Sequence, residues 1–233
     1  MEDNQAGGNN QQPPPRQDEE VTIPTDEGVN LKGTLSLPLA AAAGVVIFAH
    51  GSGSSRLSPR NTYVALLLRR AGMATLLFDL LTEQEDMRYE RRFDIDLLTK
   101  RLIASTRWIQ KRPEIQGSRI GYFGASTGAA AALCAAAILG PEVIGAVVSR
   151  GGRPDMVLSI LPKVKVPTLL IVGGRDYPVI PLNQQAYAQL GGERELVIVP
   201  GASHLFEEPG KLDEVARLAA QWFQRHLCWR YGT

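Results

Sequence analysis

From Val21 onward, short unbroken apolar runs alternate with longer segments whose apolar residues recur at helical spacing. The runs Gly44–Ala49, Met73–Asp79, Val143–Ser149, Thr168–Val172 and Leu196–Val199 have strand length and little polar alternation. That is the pattern of strands covered on both faces. Between and after them, Pro59–Ala71, Phe93–Lys111, Ala129–Leu139, Leu182–Leu190 and Leu212–His226 read as helices. Before the first buried run, Val21–Ile23 and Leu31–Leu37 flank the turn Asp26-Glu27-Gly28, as in a hairpin. Strand–helix alternation of this regularity predicts an α/β fold, a three-layer α/β/α sandwich on a mainly parallel sheet. No insertion is long enough for a large cap domain.

Composition limits the partners more than the fold. The 233 residues carry 25 basic and 24 acidic side chains, a net charge of +1, so no charge excess points to nucleic acid or a membrane surface. Met1 to Glu20, rich in Asn, Gln, Gly and Pro, buries too little to fold, and residues 1–20 are expected to be a disordered tail before a single domain over 21–233. That stretch lacks the basic and apolar regions of a secretory signal. With only two cysteines, Cys134 and Cys228, at no metal or redox spacing, the expected location is cytoplasmic, as a monomer or homodimer.

The chemistry concentrates at Gly124-Ala125-Ser126-Thr127-Gly128, where the apolar run Arg119–Phe123 meets an alanine-rich helix. A G-x-S-x-G turn between strand and helix raises the serine hydroxyl above the sheet edge, poised to attack a carbonyl. A serine needs a base and a group to orient that base. Of the three histidines, His204 leaves the last predicted strand, His226 lies near the end of the last helix, and His50 belongs to His50-Gly51-Ser52-Gly53. Asp176 follows directly on Gly173-Gly174-Arg175, after the strand ending at Val172. The order Ser126, Asp176, His204 is the one that accompanies this serine turn. Taken singly, Asp176 also reads as a turn residue and His204 as a loop histidine.

On these four segments, Gly124–Gly128, His50–Gly53, Gly173–Asp176 and Gly201-Ala202-Ser203-His204, the chain resembles the α/β-hydrolases, and most closely the dienelactone hydrolase-like branch. The resemblance runs from about Val21 to the C-terminus. It departs at the nucleophile, a cysteine in dienelactone hydrolase proper and Ser126 here, which shifts the expected chemistry from lactones toward carboxylic esters. It implies an oxyanion hole with one backbone N–H from Thr127 and a second from Ser52 or an adjacent glycine. A metal or organic cofactor is not expected.

Arg56, Arg150 and Arg153 fall on loops near strand ends, placed either to clamp an anionic group of a small-molecule ester or to pair with structural acids such as Asp155. The charge run Thr82–Arg92 reads as a solvated loop that could also rim the site. The same machinery also suits a thioesterase, a lactonase or a cofactor-free perhydrolase, and a non-catalytic ligand-binding module is the reading from a different class.

Overall fold

The computed structural model describes residues 18–228. The expected tail lies outside the described residues up to position 17, and its last two positions, Glu19 and Glu20, already belong to the first strand. The strands are β1 (Glu19–Pro24), β2 (Asn30–Ser36), β3 (Gly44–Ala49), β4 (Met73–Phe78), β5 (Ile120–Ala125), β6 (Ile144–Arg150), β7 (Thr168–Gly173) and β8 (Arg194–Val199). The helices are α1 (Pro59–Arg70), α2 (Glu83–Asp86), α3 (Ile95–Ile109), α4 (Thr127–Leu139), α5 (Ile180–Gln189) and α6 (Lys211–Leu227). All eight strands form one sheet, in the order β1-β2-β4-β3-β5-β6-β7-β8. The β1–β2 and β2–β4 pairs are antiparallel and every other pair is parallel. This is the α/β architecture read from the sequence, and no large cap interrupts it among the described residues.

Strand alternation sorts the core into two layers. Val45, Ile47 and Ala49 of β3 pack on the face covered by α3 and α4, while Val46 and Phe48 pack on the face of α1 and α6. Seven residues of α4 (Ala129, Ala130, Ala131, Ala132, Leu133, Ala135 and Ala136) are entirely buried, so the helix is apolar all round and lies close on the sheet. The outer strands end in charge. Glu19 and Glu20 of β1, and Arg194 and Glu195 of β8, are exposed, which guards both sheet edges against pairing with another chain.

Two elements differ from the sequence reading. The charge run is ordered: Thr82 and Glu85 close a reciprocal capping box at the start of α2, and Tyr89–Phe93 forms a turn of 3-10 helix before α3. Pro154–Lys163, which has no counterpart in the sequence reading, is a kinked 3-10 segment packed against α4 and α5. The chain leaves β3 toward β4 on one side and β5 on the other, so strand order reverses there. The crevice above a reversal is where α/β sheets place their sites.

Candidate active site

Ser126 stands between the last residue of β5 and the first of α4, with φ 49 and ψ −120. Its N–H donates to the Arg150 carbonyl (3.3 Å), and its own carbonyl accepts from Ala129 and Arg153 N–H (3.1 Å each). The flanking glycines make the turn sterically possible. A Cβ on Gly128 would lie 2.2 Å from the Ala49 carbonyl oxygen, and one on Gly124 would lie 2.5 Å from the Ala129 Cα.

Two loops further along the same sheet edge meet beside it. His204 Nδ1–H donates to Asp176 Oδ2 at 2.6 Å, with Asp176 buried and the imidazole more than a third exposed. That tautomer follows from the acceptor-only carboxylate. The loops are tied to each other as well: Arg175 N–H donates to the Ala202 carbonyl (2.9 Å), and Ser203 N–H donates to Glu208 Oε2 (3.0 Å), whose carboxylate also meets Arg175. The Ser203 N–H is the main cause that holds the Glu208 carboxyl down to about 2. His204 rests on Gly151, where a Cβ would come within 3.3 Å of the ring. Ser126 Oγ and His204 Nε2 share no hydrogen bond here; such contacts commonly tighten only around substrate.

On the opposite flank, the loop after β3 is held by a histidine whose ring nitrogens are both used. His50 Nε2 accepts from Leu80 N–H (3.0 Å), so Nδ1 carries the proton and donates to the Gly51 carbonyl (3.0 Å). Burial lowers the His50 pKa and keeps the ring neutral. Ser52 N–H, the expected second oxyanion donor, donates to Thr127 Oγ1 at 2.9 Å, a contact across 75 positions. Thr127 itself opens α4, so its N–H lies at a helix N-terminus. Neither the His50 clamp nor the Thr127 hydroxyl was visible as such in the sequence, where only the glycines beside them gave a signal.

The three arginines separate clearly. Arg56 pairs with Asp79 (3.0 Å) and Glu20 (3.1 Å), and Arg153 grips Asp155 with two bonds of 2.8 Å. Arg150 has no carboxylate partner among the described residues and is only 7% exposed. A cavity of about 830 Å³, lined among others by Lys32, His50, Arg56, Asp79 and Glu83, lies beside the His50 loop but reaches none of Ser126, Asp176 or His204. The convergence of loops, not the volume of a cavity, therefore marks the candidate site. Among the described residues no cluster of His, Cys, Asp and Glu could hold a metal, and no helix is long and apolar enough to cross a membrane.

Residues 31–230 match the dienelactone hydrolase family. The chain belongs to that family. A dienelactone hydrolase from Anabaena variabilis, known by crystal structure, is 56% identical, with a TM-score of 0.86 over 91% of this chain and 98% of that one. An esterase from Pyrococcus furiosus shares the fold at 19% identity, with a TM-score of 0.73 over 91% of this chain and 92% of the other. A curated relative from Mycobacterium tuberculosis, which bears a provisional phosphoribosyl transferase name, is 55% identical over 213 residues. Those residues are 91% of this chain and 47% of the relative, so this dienelactone hydrolase family member spans about half the length of that protein.

Proposed function

We propose that this chain is a serine hydrolase of carboxylic esters, working through an acyl-enzyme. The observation that carries the reading is a serine in a strained strand-to-helix turn with a His204–Asp176 pair at 2.6 Å on the adjoining loops. Ser126 Oγ attacks the ester carbonyl as His204 Nε2 takes its proton, and Asp176 stabilises the imidazolium. The Thr127 N–H, at the start of α4, faces the developing oxyanion, and an N–H of the His50–Gly53 loop completes the hole. His204 returns the proton to the departing alkoxide. It then draws a proton from water as that water attacks the acyl carbon, releasing acid and free Ser126. Lactones and thioesters enter by the same steps. The phosphoribosyl transferase name belongs to a relative of about twice this length, and a nucleophile–base–acid set fits acyl transfer better than sugar-phosphate transfer.

The test uses a fluorophosphonate probe and short-chain p-nitrophenyl esters on the wild type and Ser126→Ala. Labelling and turnover in the wild type, with kcat lower by about 10⁴-fold or more in the variant, support the reading. A well-folded wild type that is neither labelled nor active would overturn it in favour of a ligand-binding module.

A further inference from the structure

The turn that carries His204 has little hold of its own. The Ser203 carbonyl accepts the Phe206 N–H at 3.2 Å. Between them, the N–H groups of His204 and Leu205 find no acceptor among the described residues. What fixes the turn therefore lies at its two ends. Phe206, entirely buried at φ 57, anchors the far end in the core layer under α1 and α6. The near end is Ser203, whose N–H donates to Glu208 Oε2 at 3.0 Å. The other oxygen of that carboxylate meets Arg175, the residue just before Asp176. Gly173 packs so close beneath that a Cβ on it would lie 2.4 Å from the Ser203 carbonyl oxygen. Glu208 is itself held from behind, its carbonyl accepting the Lys211 N–H at the start of α6 (3.0 Å).

One carboxylate thus reaches the neighbour of the base with one oxygen and the neighbour of the acid with the other. We propose that Glu208 is a positioning residue of this site, seating His204 against Asp176 by accepting the Ser203 N–H. Its effect on turnover rests on Ser126 being the acyl-transfer nucleophile; its effect on the His204–Asp176 pair does not. A hydrogen bond to an ionised carboxylate is stronger than one between neutral groups. The Ser203 N–H is also the main cause that holds this carboxyl at about 2, so the acceptor stays charged wherever ester hydrolysis is followed. The Arg175 arm contributes less, because its guanidinium side is more than half exposed and an ion pair there is screened. At 2.6 Å the His204–Asp176 pair has no slack, and a displacement of about 1 Å is enough to cost about 100-fold in rate. Glu207 supplies the contrast: it pairs with Arg60 at 2.9 Å and touches neither loop neighbour.

The experiment follows p-nitrophenyl acetate hydrolysis, melting temperature and the proton NMR spectrum. It compares the wild type with Glu208→Ala, Glu208→Gln, Arg175→Met and, as a control, Glu207→Ala. Glu208→Ala should lower kcat about tenfold or more and leave KM within about threefold, because the loss falls on proton transfer and not on ester binding. Glu208→Gln keeps an acceptor for the Ser203 N–H and should recover most of the rate. Arg175→Met should lose at most about threefold, and Glu207→Ala nothing. A second arm needs no turnover. The His204 Nδ1–H on Asp176 gives a strongly deshielded resonance, assigned by its loss in Asp176→Asn; it should vanish or move upfield in Glu208→Ala and persist in Glu208→Gln. This arm decides the positioning role even if the esterase reading fails. Glutamine failing as badly as alanine would overturn the Ser203 contact as the cause. An unmoved resonance in Glu208→Ala would overturn the proposal, and with a lowered melting temperature would make Glu208 a support of the fold alone.

Discussion

The two flanks of the sheet's carboxyl edge use charge in opposite ways. Beyond β2 and β4, the wall of the large cavity is a set of ion pairs: Lys32 with Glu83, Arg56 with Asp79, Asp86 with Arg92, and Glu85 with Arg101. Above β5 to β8 the polar groups are fewer, and two keep an open valence: the His204 Nε2 and the Ser126 hydroxyl. The first flank has more room and more charge, yet its charges are largely matched by neighbours. Matched charges hold segments in place, whereas chemistry and recognition need groups whose partner arrives from outside.

That contrast can be tested where it is strongest. Arg101 is 2% exposed and joins Thr25, Glu27 and Glu85, so it fastens the β1–β2 turn and the capping box of α2 to α3. Arg101→Met should cost about 2 kcal/mol of unfolding free energy in urea titration, with little change in kcat for neutral esters. A loss of activity at unchanged stability would erase the distinction between the flanks.

A smaller effect is expected where the flanks touch. Thr127→Val removes the acceptor of the Ser52 N–H and leaves that donor pointing at a methyl group. Ester turnover should drop about tenfold, with Thr127→Ser recovering most of it. Turnover unaffected by valine would show that Ser52 is held by the backbone alone.

The smallest effect comes from pH. Burial lowers the His50 pKa below its unfolded value, so below about pH 6.5 the unfolded chain takes up the proton first and stability falls with acidification. Between pH 7 and pH 5 the wild type should lose stability steadily through this group. His50→Asn should flatten that part of the profile of melting temperature against pH; an unchanged slope would mean that other groups govern it.

What the sequence made legible follows the range of the interactions. The buried strands, the Ser126 turn and the loops of Asp176 and His204 are written in local patterns, because each needs only its own apolar run and the glycines beside it. The fate of the arginines is not local. Arg56 meets Asp79 across 23 positions and Ser52 meets Thr127 across 75, contacts fixed only when the strands assemble. Arg150, Arg56 and Arg153 therefore look alike along the chain and differ only in the fold. The 154–163 segment is short and irregular for another reason: Val157 leaves helical φ/ψ and Pro162 stands inside it.

Ser126 carries one last consequence. A side chain at φ 49 and ψ −120 sits in a conformation that costs on the order of 1–3 kcal/mol and suits glycine far better. Under selection for heat resistance alone, this is a position where the fold and the chemistry want different residues. A lineage released from the need to react would be rewarded for losing its nucleophile, so a serine retained here is held against the pull of stability.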